Sequence, residues 1–204
     1  VVVFSVMQQV QYTALLHEDA SRYTAQIIEK IRYDLDLSLG ELDLMALPLL
    51  QNENIREAAG QSSPEALQRA QQALESAVLY MEETRRIPFN ILLLSSNLKI
   101  VASTYKEWTG TYRILGAEWV SRIWEKQGEK VLISGYSINS GGSFRNVKVI
   151  SVAYALFSEN ERVGILVLEL PMEYFAQLCA GVRIGQNGFV ALLDEQQYVI
   201  FSTD

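Results

Sequence analysis

The sequence predicts an α+β fold: a long N-terminal helix and a second helix packed on a five-stranded antiparallel sheet, with the start of a second such unit at the C-terminus. Three observations carry this expectation. Between Tyr23 and Ala59, Ile28, Ile31, Leu35, Ser38, Leu42, Met45 and Leu49 recur at alternating three- and four-residue spacings, the seam of a helix that meets another helix. From Phe89 onward, short apolar runs alternate with turn residues instead of with regular helices, the pattern of antiparallel strands. Finally, GFVALLDEQQYVIFSTD repeats the layout of FNILLLSSNLKIVAST: strand, polar turn, strand, small hydroxyl residues.

Residues 4 to 59 read as mainly helical. The part from Tyr23 to Ala59 alone would span ~55 Å, so it must link separate parts, lie along another domain or dimerise. Gly40 weakens the helix by about 1 kcal/mol relative to alanine. Pro48 is expected to kink or break it near Met45 to Leu47, leaving Leu49 to Ala59 as a short helix stopped by Gly60. Ser63 and Pro64 form a helix start, cap plus first-turn proline, and Leu67, Ala70, Leu74, Ala77, Val78 and Met81 make one apolar stripe through Arg85.

Phe89 to Leu94 and Lys99 to Ser103 read as two strands around a Ser95-Ser96-Asn97 turn. Residues 104 to 115 are irregular and rich in aromatics. Gly116 to Gln127 reads as a helix with Trp119, Val120, Ile123 and Trp124 inward. Strands follow at Lys130 to Ile138, Val147 to Phe157 and Arg162 to Leu170, with a hairpin turn at Ser158 to Glu161. Met172 to Cys179 is a short helix, and Gly188 to Leu193 with Tyr198 to Ser202 a last hairpin.

A net charge of −7 argues against nucleic acid and against an anionic membrane surface as partners. One cysteine, Cys179, rules out an internal disulfide and favours a cytosolic protein or a bacterial surface domain. One histidine, His17, removes most zinc sites and Ser-His-Asp arrangements; it reads as a surface or interface residue. No carboxylate pair stands out with catalytic spacing, and no cofactor or metal motif is present. VVVFSVM is too short to cross a bilayer and fits either the outer end of a transmembrane helix or an apolar helix start.

The aromatic and polar cluster between the second and third strands is the candidate pocket. Tyr105, Trp108, Arg113 and Trp119 come from it, beside Tyr112 and Trp124; Tyr136 and Tyr154, on later strands, are expected to face it across the sheet. Flat rings stack, and Arg113 fixes an oxygen bidentately, so a small organic anion or a sugar suits such a site. Core packing alone also accounts for Trp119 and Trp124. Arg145 beside Gly141-Gly142, and Asp194 in its turn, read more simply as loop residues.

Three stretches carry a resemblance: RYTAQIIEKIRYDLDLSLGELDLMALPLLQNENIREAA, VKVISVAYALFSENERVGILVLELPMEYFAQL and GQNGFVALLDEQQYVIFSTD. Together they resemble the extracellular double-Cache (PAS-like) sensor regions of bacterial sensor histidine kinases. The resemblance implies helical stalk and membrane-distal helices at 1–87, a PAS-like Cache sheet domain at 88–181, and the opening hairpin of a truncated membrane-proximal Cache unit at 182–204. It implies a non-catalytic ligand-sensing ectodomain on the outer face of the cell membrane, between transmembrane helices, dimeric through the long helix. Its partner would be a small molecule or a solute-binding protein. The close Tyr-Arg-Trp-Tyr pattern of amino-acid-binding Cache domains is absent; Tyr112-Arg113 and Trp119 are spaced differently. The competing readings are the ectodomain of a chemoreceptor or cyclic-dinucleotide enzyme, a protein-binding module, or a small antiparallel-sheet acyltransferase-like enzyme.

Overall fold

The computed structural model describes residues 2–61, 63–105, 117–140, 145–180, 188–193, 197 and 199–203. Helix α1, Val2–Gln51, is one continuous element of 50 residues, ~75 Å long at ~1.5 Å per residue. Pro48 does not end it. The proline lies in the last turn, where its missing N–H removes one bond and little helix follows. The break comes at Asn52, whose Oδ1 accepts from the Asn54 amide at 2.9 Å and opens α2, Glu53–Gln61. Helix α3, Pro64–Arg85, starts as expected: the Ser63 hydroxyl accepts from the Ala66 amide, with Pro64 in the first turn.

Strands β1 (Asn90–Ser95), β2 (Ile100–Ser103), β3 (Val131–Ser140), β4 (Arg145–Ser158) and β5 (Glu161–Pro171) form one antiparallel sheet in the order β2-β1-β5-β4-β3. Helix α4, Ala117–Glu125, precedes β3, and α5, Met172–Leu178, follows β5. Glu159 and Asn160 turn between β4 and β5 with φ of 49° and 69°, the paired left-handed turn that matches strand twist. Strands β6 (Ala191–Leu193) and β7 (Val199–Ser202) pair separately.

The sheet is apolar on both faces. One face meets α1, α2, α3 and α5 through Ile91, Leu93, Ile150, Val152, Leu156, Leu166, Leu168 and Leu170. The other meets α4 through Leu92, Leu94, Val131, Ile133, Ala153, Ala155, Ile165 and Val167. The helical stripe of α3 is buried at Ala66, Ala70, Leu74, Ala77 and Met81, and its Gln71 amide bonds both the N–H and the carbonyl of Ser103, covering the open edge of β2.

The seam of α1 packs on the sheet, as the fold class predicts. Leu42 and Leu49 are buried and Leu35 and Met45 half-buried in the chain's own core; Ile31 and Ser38 are buried too, Ser38 bonding the Tyr174 hydroxyl of α5, while Ile28 at the seam's start is half exposed. A helix seam records that a face is covered, not by what. Here the sheet and its companion helices cover it. The face left in solvent carries Tyr33, Leu37, Leu44 and Leu47, each more than half exposed.

Candidate functional site

Alternation along the strands sets a row of facing residues across the sheet. Asn90 of β1 pairs with Glu169 of β5, Glu169 with Ser151 of β4, and Ser151 with Ile133 of β3. Paired residues share a face, so this row lies on the α4 side, at the edge of the apolar floor made by Leu92, Val167, Ala153 and Val131.

Glu169 is 0% exposed. A buried carboxylate is tolerated only when it is hydrogen-bonded and paired. Tyr105, just beyond β2, donates its hydroxyl to Glu169 Oε2 at 2.5 Å, and both residues hold further interactions. Burial first, then the Glu169 charge and this bond, push the Tyr105 phenol far above its ordinary pKa; the Asn90 side chain opposes them. Tyr105 therefore stays a donor at any physiological pH. Thr104 fixes the approach: its hydroxyl accepts from the Ile91 amide at 2.9 Å, and its own amide donates to the Ile91 carbonyl. Among the described residues no buried side-chain nitrogen or oxygen lacks a partner.

Helix α4 roofs this face. Ile123 and Trp124 are buried, and Trp119 and Val120 half-buried, as the helical spacing predicts. Trp124 meets Phe157 edge-on at 6.1 Å and carries the Arg162 guanidinium at 5.5 Å, so it is a packing residue. Trp119 lies nearer the margin, under the Arg122 guanidinium at 4.7 Å.

No family model and no curated protein matches the chain. Solved structures do. The ligand-binding domain of the Campylobacter jejuni chemoreceptor Tlp3, in complex with L-norvaline, aligns over 94% of this chain and 72% of its own, with TM-score 0.62 and 16% identity. The sensor domain of the V. cholerae histidine kinase DctB covers 95% and 69%, with TM-score 0.61 and 18% identity. The periplasmic sensory domain of the C. jejuni chemoreceptor Tlp1 covers 86% and 70%, with TM-score 0.64 and 13% identity. The chain has the fold of a Cache-like sensor domain.

In this fold the sequence-predicted site residues among the described ones do not share one face. Tyr105 and Trp119 belong to the α4 face. Tyr136 pairs by backbone with Val149, past a β-bulge, one row beyond Ser151. Trp108 and Arg113, like Tyr112 and Asp194, lie outside the described residues, as does the side chain of Arg145. Tyr154, expected beside Tyr105, is instead on the helix face, where its hydroxyl donates to Asp43 Oδ1 of α1 at 2.6 Å. Both faces of β4 are apolar, so hydrophobicity does not reveal its parity. Glu169, Ser151 and Asn90 escape sequence reasoning. Glu169 carries a signal all the same: one charge within the apolar run ILVLEL, at the parity of Ile165 and Val167.

An apolar cavity of about 200 Å³ lies between α1, α5 and the β6–β7 hairpin, lined by Ile28, Leu35, Phe175, Cys179, Leu192 and Phe201. Burial pushes the Cys179 thiol up. Among the described residues no cluster of three metal-ligating side chains occurs, and no helix is long and apolar enough to cross a membrane.

Proposed function

We propose that this chain is the ligand-sensing ectodomain of a bacterial membrane receptor, with a sensor histidine kinase as its output. One observation carries the reading: a single sheet bears a polar row, buried at Glu169 and Ser151, on the face that α4 shares, and the long helix α1 on the other. An enzyme would need a reactive constellation; this row offers hydrogen bonds and a charge, which select a small polar molecule. Among the described residues Tyr105, Trp119 and Glu169 are the proposed contacts, with Trp108, Arg113 and Tyr136 expected to complete them. Glu169 favours a ligand bearing hydrogen-bond donors, such as a sugar or an amine, while Arg113 suits an oxyanion. Tlp3, which shares the fold, is described in complex with L-norvaline and with isoleucine. A chemoreceptor or cyclic-dinucleotide output fits the same domain equally well, since Tlp1 is a chemoreceptor and another structure of this fold is described as a domain of a sensory box/GGDEF family protein.

In this reading the receptor lies on the outer face of the membrane, flanked by transmembrane helices, and dimerises through α1. The exposed stripe Tyr33, Leu37, Leu44 and Leu47 is the proposed contact, replacing the seam that packs inward. Ligand binding shifts the sheet against α1; a bias of ~1–3 kcal/mol between two packings suffices. A thermal-shift screen of amino acids, organic acids and sugars tests this. A ligand is expected that raises the melting temperature, with affinity weakened by Glu169→Gln and by Arg113→Ala but kept by Tyr154→Phe. A ligand indifferent to both site changes would place binding elsewhere. A solute-binding protein that binds the domain while no small molecule does would overturn the direct-ligand reading.

A further inference from the structure

Asp43 is joined to two other parts of the molecule at once. Its Oδ1 accepts from Tyr154, a buried residue of β4, at 2.6 Å, and its Oδ2 accepts from Lys130 Nζ. Tyr154 lies three residues beyond Ser151 on the same strand, one on each face of the sheet. Lys130 lies directly before β3, at the end of the short turn that leaves α4, the helix on the same face of the sheet as the polar row. The residue after it, Val131, pairs with Ala153, the neighbour of Tyr154. One carboxylate of α1 thus holds both the strand that carries Ser151 and the turn that follows α4.

We propose that Asp43 is the positioning residue that fixes the register of α1 against the sheet and carries displacements of β4 and α4 to that helix. The transmission half rests on the sensor reading; the register half does not. Charge-assisted bonds are directional and short-ranged. A shift of β4 or α4 of about an ångström relative to α1 must lengthen at least one of them, because they approach the carboxylate from different elements. Burial and the Asp43 bond also push the Tyr154 phenol far above its ordinary pKa, so the donor persists through any physiological pH change. The apolar contacts of Leu42 and Ala46 on either side are non-directional, whereas the bonds at Asp43 fix one register.

Amide hydrogen exchange on this chain, read for residues 39–47 of α1, tests the proposal. Asp43→Asn and Lys130→Met are expected to speed exchange there about fivefold, leaving residues 91–94 of β1 unchanged. Lys130→Met removes one bond at an exposed site and guards against an Asp43 variant that does not fold. Unchanged exchange in both variants would overturn the register role. For transmission, Glu169→Gln perturbs the polar row without any ligand. Its effect on residues 39–47 is expected in the wild-type background and lost when Asp43→Asn is also present. An effect of equal size in both backgrounds, or none in either, would overturn transmission through Asp43. Neither outcome touches the ligand screen, so the sensor reading stands or falls separately.

Discussion

Gly164 of β5 is the place where the sheet tolerates nothing larger. A Cβ built there would lie 2.3 Å from the Leu94 carbonyl oxygen of β1 and 2.7 Å from the Ala59 Cβ of α2. An ordinary carbon–oxygen contact needs ~3.3 Å, so Gly164→Ala must open the β1–β5 ladder by about 1 Å. The obstacle is main chain, which has no rotamer to yield. The cost is expected at the upper end of the overpacking range, about 3 kcal/mol. At ~2–4 °C per kcal/mol for a chain of this size, the melting temperature should fall by about 6–12 °C. Gly40→Ala is the matched control, because a Cβ at Gly40 of α1 meets nothing within 4 Å. Alanine there removes the helix penalty of glycine and should raise stability by up to about 1 kcal/mol. Calorimetric melts of both variants decide the matter. A Gly164→Ala melt within ~2 °C of wild type, or a fall for Gly40→Ala as large as for Gly164→Ala, would refute the steric reasoning.

Further outcomes follow from the same geometry. Tyr105→Phe leaves buried Glu169 without its hydroxyl donor and should cost about 1–3 kcal/mol by denaturant melt. Its pH dependence has a defined sign: an unfolded phenol ionises near ~10, whereas the folded Tyr105 and Tyr154 phenols hold their protons more tightly. Their contribution is full below ~pH 10 and is lost as the pH rises above it, so Tyr105→Phe should flatten that alkaline loss. Leu42→Ala, at a fully buried position, should cost ~2–5 kcal/mol. Leu37→Asp with Leu44→Asp, on the exposed face, should instead leave the melt within ~1 kcal/mol and weaken self-association in sedimentation. Ser63→Ala removes the α3 cap and should cost about 1 kcal/mol, read from the same melts.

Much of the fold was legible because local chemistry wrote it. Ser63-Pro64 started α3 where the capping rule places it, and the order of strands and helices from Asn90 to Leu178 followed from turn residues and run lengths. The site was half legible. Tyr105 and the inward residues of α4 stood out as aromatics at helical or strand-end spacing, and they do share a face. Tyr154 misled because apolarity reports that a side chain is covered and is silent about its neighbour.

What the sequence settled by itself was the set of elements, since propensity, capping and periodicity act within a few residues. Only the tertiary structure decided which face of β4 looks at α4, which strands bring Asn90, Glu169 and Ser151 into one row, and that Asp43 meets Tyr154 and Lys130. Those pairings join residues far apart in the chain. They are selected by strand register and by the competition of whole faces for burial, quantities that no short window of sequence contains.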